Sequence, residues 1–320
     1  MSFSPTRSPR PGFFILKIAL AAVFLTAFVW ITWAISVSGS TIRSDIALSV
    51  PNHAFPHPGE TPLRVAVISD LHVADSAQSY DALRILVQDV LESEPSFILL
   101  LGDYTEHPDS IASLSQHAAR VAELLGQLSH VPTIAVLGNY ENWSAPGLWT
   151  HSLIANGIRV LRNEVALIES GDQAACFRGL GDAFTGQLRY VDFMEECRGR
   201  PKITLTHDPA GAFHHKVKGV VLAGHTHCGQ IRLPLIGSPW IPSNAPNGAT
   251  CGLYEDADRL LWVSSGVGTS ILPIRFGTQS QWNLIEMGAP SCPGGGCPGA
   301  LNTWHQNELC IAEPRVTTAK

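Results

Sequence analysis

The residues of this chain best suited to chemistry are imidazoles, carboxylates and one amide that terminate apolar runs. His225 and His227 stand in Gly224-His225-Thr226-His227, directly after the run 219–223. In extended backbone the side chains at i and i+2 point the same way, so both rings can face one ion. Alone, the pair is ambiguous, because histidines two apart are commonly unrelated to a metal. Four other runs end in the same manner. Residues 63–69 lead into Asp70-Leu71-His72, and 97–101 into Gly102-Asp103. Residues 133–137 lead into Gly138-Asn139-Tyr140-Glu141, and 202–206 into Thr206-His207. Each ending has a bland explanation of its own: Asp70 as a helix cap, the Gly-Asp and Gly-Asn pairs as turns, His207 as a satisfied core histidine. Five successive endings of metal-ligand type are not explained that way. Imidazole with carboxylate suits divalent ions such as Mn, Fe, Zn or Mg, and the sequence does not choose among them.

The elements that must position these groups follow from the runs. Continuous Val, Ile and Leu stretches fit strands buried on both faces. Residues 80–92 carry Leu83, Leu86, Val87 and Val90 at helical spacing, and 111–128 behave similarly. Strand alternating with helix predicts an α/β domain. In such sheets ligands gather outside the carboxyl ends of the strands, where all five endings fall.

The ordered set Asp-x-His, Gly-Asp, Gly-Asn, lone His and Gly-His-x-His resembles the calcineurin-like metallophosphoesterase superfamily over residues 63–287. The stretches 225–234 and 263–270 are similar to its bacterial membrane-associated phosphodiesterase branch. That resemblance implies a four-layer β-sandwich of two mixed sheets flanked by helices. It implies two divalent metal ions, the first held by Asp70, His72 and His227, the second by Asn139, His207 and His225, with Asp103 bridging. Asp103, Asn139 and Tyr140 then fall at the catalytic positions. The implied reaction is hydrolysis of a phosphate ester, most specifically a phosphodiester, by attack of a metal-bound hydroxide. Two alternatives are a nucleotide or sugar-nucleotide phosphatase or pyrophosphatase with the same metals, and a catalytically weakened, metal-stabilised binding module. Retention of all seven ligand positions argues against the binding module.

Two residues depart from the family pattern. Tyr140 stands where a histidine is usual, and a phenol of pKa about 10 is a weaker acid. This predicts reduced activity or a substrate with a good leaving group. His107 is a second candidate for the missing role. Cys228 replaces a usual Gly and is expected to be a small tolerated residue carrying the unpaired thiol. Gly181-Asp182 reads as a structural turn, His214-His215 as a solvated rim, and Arg275 as either a phosphate contact or a structural salt bridge.

Composition sets the surroundings. The chain has 320 residues, a net charge of −6 and seven cysteines. The acidic balance argues against a general nucleic-acid binder. Seven cysteines suit an oxidising compartment, with Cys176 and Cys197, and Cys292 and Cys297 in the tail, plausible pairs. From Ile18 to Ile42 there is no charged residue, while Arg7, Arg10 and Lys17 precede the run. This predicts a membrane-spanning helix over 13–37, with residues 1–12 cytoplasmic and the rest of the chain on the periplasmic or extracytoplasmic side. A cleaved signal peptide is the competing reading. Residues 38–61 read as a Pro-rich linker, 62–288 as the catalytic domain and 289–320 as a Cys/Pro/Gly-rich tail. The expected partners are a phosphate-ester substrate and the membrane.

Overall fold

The computed structural model describes residues 11–38, 41–48, 50, 62–288, 309–311 and 315–316. A first helix, α1 (Pro11–Ser38), leads into β1 (Thr41–Leu48). Then follow β2 (Leu63–Ile68), α2 (Ala77–Glu92), β3 (Phe97–Leu100), α3 (Leu114–Gly126), β4 (Thr133–Ala135), α4 (Asn139–Ser144), α5 (Pro146–Ala155) and β5 (Arg159–Val160). The second half holds β6 (Glu164–Ser170), β7 (Gln173–Gly179), β8 (Lys202–Leu205), β9 (Gly219–Ala223), β10 (Gly252–Glu255), β11 (Arg259–Val263) and β12 (Ser280–Met287). Two short strands, β13 (Leu309–Ile311) and β14 (Arg315–Val316), close the order.

The strands form two mixed sheets. The first runs β13-β1-β12-β2-β3-β4-β5, with β14 also on β1; the second runs β10-β11-β9-β8-β7-β6. The apolar runs became strands because both of their faces are covered. Val65 and Val67, Leu99, Ile134, Phe177, Ile203, Val220 and Leu222 meet in a core between the sheets. Ala66, Ile68, Ile98 and Leu100 point the other way, onto α2, α3 and α5. Helix α2 is held there by its buried stripe Leu83, Leu86, Val87 and Val90, and its start is capped by Ser76, which accepts from the Ser79 amide at 3.2 Å. The outer face of the second sheet is covered differently. There Val221, Ala223, Leu261 and Val263 pack against Ala212 and Ala249, which lie in 3-10 turns rather than α-helices.

The expected α/β domain with two sheets is present, with differences at both ends. Residues 41–48, expected within a linker, pair in parallel with β12 from Thr41↔Ser280 to Leu48↔Met287. Residues 309–311 and 315–316, expected in a tail outside the domain, pair with β1. The Pro-rich remainder of the expected linker lies outside the described residues, as does most of the tail. Within α1, side chains are described at residues 16–26, 28–29 and 32. Among the described residues no helix is long and apolar enough to cross a membrane. The span expected over 13–37 extends beyond those side chains.

Strands β2, β3 and β4 of the first sheet and β8 and β9 of the second all point their carboxyl ends at one edge of the sandwich. Their pairings are parallel within each sheet, and the Asp70 amide donates to the Gly102 carbonyl at 3.0 Å while the Gly224 amide donates to the His207 carbonyl at 2.9 Å.

Candidate metal centre

The loops leaving these strand ends interlock so closely that two of them require glycine. A Cβ on Gly102, at φ +97°, would come within 2.4 Å of the Gly138 nitrogen. A Cβ on Gly224 would sit 1.8 Å from Ser69 Oγ and 2.5 Å from an Asp70 carboxylate oxygen. Each glycine therefore lets one motif's backbone touch the next motif's side chain. Five neighbouring residues hold left-handed backbone without being glycine: Asp70 (φ 54°), His72 (45°), Asp103 (54°), His225 (68°) and His227 (49°). Such strain persists only where the surroundings over-determine it, and it marks functional sites.

All seven expected residues are buried at this edge, and six of them fall into two groups, with Asn139 beside the second. Asp70, His72 and His227 form one, and Asp103, His207 and His225 the other; within each group the ligand atoms lie within 4.8 Å of one another. In the first, His72 Nε2 faces His227 Nε2 at 3.0 Å, and His227 Nε2 lies 3.7 Å from Asp70 Oδ1. In the second, His207 Nε2 lies 3.1 Å from His225 Nδ1, 3.1 Å from Asn139 Oδ1 and 3.3 Å from Asp103 Oδ2. Asp103 Oδ2 also approaches His72 Nε2 at 3.8 Å, so this carboxylate stands between the groups. His225 and His227 do not face one centre. Both are left-handed rather than extended, and their rings separate, one to each group.

The donors fit divalent cations, and the protein fixes how two of them are presented. His207 Nδ1 lies 2.7 Å from the Leu101 carbonyl and His225 Nε2 lies 2.5 Å from the Pro242 carbonyl. A carbonyl only accepts, so those nitrogens carry the protons, and the opposite nitrogens are aimed at the cluster. Asp70 is oriented by the His225 amide, which donates to both carboxylate oxygens at 3.0 Å. The Tyr140 amide donates to Asp103 Oδ1 at 3.0 Å.

Charge divides the cluster in two. Burial opposes ionisation of Asp103, but His207, through charge and hydrogen bond, together with His72 and His225, holds its carboxyl below the ordinary range. Burial would likewise depress His207, and the Asp103 carboxylate instead lifts it well above the usual imidazole value. In the other group, burial lowers His72 against the pull of Asp103 and Asp70. Burial, with His72 and Arg275 nearby, lowers His227 further. Two imidazoles are thus kept neutral, beside an Asp–His pair whose proton a cation can replace.

Tyr140 lies at the mouth. Its ring meets His72 edge-on at a centroid distance of 4.8 Å, and its hydroxyl is 2.9 Å from Ser270 Oγ. Burial raises its phenol above the ordinary value, so it offers a hydrogen bond rather than a labile proton at neutral pH. His107 stands beside it, with ring centroids 5.6 Å apart, while also capping a 3-10 turn through the Asp109 amide. From Tyr140 an aromatic wall continues through Trp143 and Phe184 to His225, at centroid distances of 5.5, 5.9 and 4.7 Å. Asp182, read as a structural turn, accepts from the Phe184 and Thr185 amides and sets Phe184 in that wall. His214 stacks on Tyr190 instead of joining the site.

Two readings require correction. Cys228 is not an unpaired thiol: it is bonded to Cys251. The bond ties the turn carrying His225 and His227 to the strand β10 side, where Thr226 Oγ1 also donates to the Thr250 carbonyl at 2.7 Å. Arg275 stands behind the first group rather than as an exposed phosphate contact, with the Asp70 carboxylate among the charges acting on it. It is fully buried, donates to the Ser265, Gly266 and Gly268 carbonyls, and lies 3.2 Å from His227 Nδ1. Burial lowers its guanidinium to about 10, so it remains a cation behind the first group. The expected Cys176–Cys197 pair is present, and Cys292 and Cys297 lie outside the described residues.

Glu141, which ends the Gly-Asn-Tyr-Glu stretch, supports the site from below. Glu141 is fully buried; its Oε2 accepts from the Asp103 and Gly138 amides, both at 2.9 Å, and its Oε1 from the Tyr104 amide at 2.8 Å. It clamps the loops after β3 and β4 together. Its place two residues after Asn139 was the only sequence signal for this.

A two-sheet α/β sandwich with paired Asp/His clusters at one strand edge defines a metal-dependent phosphoester hydrolase. The family model for calcineurin-like phosphoesterases matches residues 63–229, more than half of the chain, and the chain belongs to that family. It is 26% identical over 243 residues to the phosphodiesterase YaeI of Escherichia coli K12, covering 73% of this chain and 85% of that protein. It is 28% identical over 234 residues to YkuE of Bacillus subtilis 168, an uncharacterized metallophosphoesterase, covering 71% and 79%. A transmembrane protein with a metallophosphoesterase domain from Danio rerio is 29% identical over 243 residues, covering 70% of this chain and 53% of that one.

Proposed function

We propose that the chain is a membrane-anchored phosphodiesterase that works outside the cytoplasm with two divalent ions. Asp70, His72 and His227 would hold one ion; Asn139, His207 and His225 would hold the other; Asp103 would be common to both. The observation that carries this reading is the position of Asp103 between two buried donor groups. When bound, two such ions supply positive charge at the phosphoryl oxygens and a water that ionises near neutral pH.

The chain's own groups do the rest. Asn139 and Asp103 hold one face of the cleft. Tyr140 is placed to donate a hydrogen bond at the mouth, and because burial raises its pKa it favours esters whose leaving group needs no proton. Trp143 and Phe184 limit water on one side. Diester preference is supported by the name of the Escherichia coli relative, and anchoring by the uncharged run from Ile18 to Ile42, the exposed apolar side chains Leu20, Val23, Phe24, Leu25 and Phe28 of α1, and the name of the Danio rerio relative.

The test uses the full chain in detergent, loaded with Mn²⁺ or Zn²⁺, on bis(p-nitrophenyl) phosphate and p-nitrophenyl phosphate. Metal-dependent hydrolysis, faster on the diester and abolished in Asp103→Asn, is expected. No metal-dependent hydrolysis of either ester overturns the reading. A monoester preference overturns the diester assignment.

A further inference from the structure

Two tips of chain beside the site hold bulky apolar side chains out in solvent. Leu235 is 108% exposed and Ile236 74%, on a turn closed by pairing of Leu233 with Gly237. Ile271 is 80% exposed, with Leu272 beside it at 50%. Leu235 and Ile271 also have φ of 66° and 64°. Left-handed backbone is unusual for any bulky residue and an outlier for a β-branched one. Each tip therefore bears backbone strain while its side chain gains nothing from the interior. That combination points to a surface outside the protein.

The tips are laced to each other and to the mouth. Gln230 Nε2 donates to the Leu272 carbonyl at 2.7 Å, and the Ser270 amide donates to Gln230 Oε1 at 2.8 Å. The Arg232 amide donates to the Phe276 carbonyl at 2.6 Å. Ser270 contacts Tyr140. Exposed Trp240 sits between Ser238, whose hydroxyl donates to the Cys228 carbonyl, and Pro242, whose carbonyl contacts His225. Exposed Trp143 packs on Tyr140.

Charge and topology say what the rim faces. The chain is acidic overall, yet residues 209–254 and 259–285, which contain both tips, hold no Asp or Glu. Neither tip carries a carboxylate of its own, so an anionic surface meets none on these two segments. Thr41, the first residue of β1, pairs with Ser280 at the start of β12, and β2 runs antiparallel to β12 with Val67 opposite Asn283. The start of β1 is thus at the same sandwich edge as Asp70 and the tips. Helix α1 ends at Ser38, and three residue steps reach Thr41, at most about 11 Å. An anchored α1 would therefore bring this edge, rather than the opposite one, to the bilayer.

We infer that Leu235, Ile236, Trp240, Ile271, Leu272 and Trp143 form a rim that seats the mouth on an anionic lipid bilayer, and that the substrate class is a phosphodiester borne by a membrane amphiphile. This rests on the phosphodiesterase reading above. The rim lowers itself among the headgroups, and the ester enters the cleft without leaving the membrane.

The test uses the full chain in nanodiscs of phosphatidylcholine and phosphatidylglycerol. Photoreactive p-benzoylphenylalanine replaces Leu235, Ile271 or, as control, Asp172, which is exposed at the β6–β7 turn on the far edge. Lipid adducts at 235 and 271 but not at 172 are expected. Adducts to a second copy of the chain, adducts at all three positions, or none at the tips overturn the proposal. In a second arm, Leu235→Ser, Ile236→Ser, Ile271→Ser and Leu272→Ser are combined. Turnover of hexadecyl p-nitrophenyl phosphate in the nanodisc should fall about tenfold or more, because moving one such side chain out of water is worth about one to two orders of magnitude in partitioning. Turnover of soluble methyl p-nitrophenyl phosphate should stay within about twofold. Equal losses on both esters overturn the proposal. If the wild-type chain hydrolyses neither ester with metal, the phosphodiesterase reading fails, and the adducts still decide whether the rim meets lipid.

Discussion

Replacing Glu141 by Gln should change not only the stability of the metal-free chain but the way that stability depends on pH. In the structure three buried backbone amides, of Asp103, Tyr104 and Gly138, converge on this one carboxyl group. Glutamine offers one oxygen in place of two. Set where Oε2 lies, it retains the Asp103 and Gly138 amides and turns its NH₂ toward the Tyr104 amide. One buried donor is left unpaired, at a cost of about 1–3 kcal/mol. For a domain of this size that lowers Tm by about 2–12 °C.

The pH dependence follows from the carboxyl itself. Burial, with Asp103 close by, raises Glu141 from 4.5 to about 7, against the opposing pull of the Gly138 and Tyr104 amides and His207. A folded-state pKa above the unfolded one means that the folded chain holds a proton the unfolded chain has released. The stability so gained is complete below pH 4.5 and is lost as pH rises through about 7. The rise corresponds to about 3 kcal/mol. Glutamine cannot titrate and lacks this loss. With EDTA present, Glu141→Gln should therefore be the less stable protein at pH 5, by about 1–3 kcal/mol, and the gap should close or reverse by pH 8. Thermal unfolding of both proteins, followed by near-ultraviolet circular dichroism between those pH values, measures it. A gap that widens as pH rises would refute the reasoning, because it would mean that the clamp is an ionised carboxylate throughout.

Two further outcomes are expected. Tyr140→His should raise turnover on a diester with a poor leaving group, such as a dialkyl phosphate, and leave bis(p-nitrophenyl) phosphate nearly unchanged, because only the former needs a proton in the transition state; equal effects on both, in paired kcat measurements, would remove Tyr140 from leaving-group chemistry. Cys251→Ser should cost about 3 kcal/mol from loss of a loop closed across 23 residues, and should weaken metal uptake in calorimetry, since the released turn carries His225 and His227; unchanged uptake with lowered Tm would make the bond purely structural.

How much of this was legible depends on where each element's signal resides. Strands β2, β3, β4, β8 and β9 were readable because both faces are buried, so nearly every side chain is apolar and the first polar residue marks the end. Strand β1 was not, because Arg43 and Asp45 pair with each other along a partly covered strand whose burial alternates irregularly. It reads as a linker until β12 is placed beside it. The Cys228–Cys251 bond joins residues separated by a long loop, and only the fold makes them neighbours. Arg275 was open between a phosphate contact and a structural salt bridge, because the backbone carbonyls and the His227 ring it reaches are announced by no local pattern.

The site residues themselves were legible by type, but their spacing suggested a different geometry. Alternation in a strand would send His225 and His227 to one centre. Left-handed backbone at both positions sends them to two, and the same conformation recurs at Asp70, His72 and Asp103. Each such residue costs of order 1–3 kcal/mol, so five of them rival the stability of a whole domain. The surroundings must hold them there. Glu141 fixes the loops of Asp103 and Asn139, the His225 amide fixes Asp70, and the Cys228–Cys251 bond with the Thr226–Thr250 hydrogen bond fixes the turn between. Bound cations would add attraction among these donors, since His72 and His227 face one another at 3.0 Å and burial keeps both rings neutral.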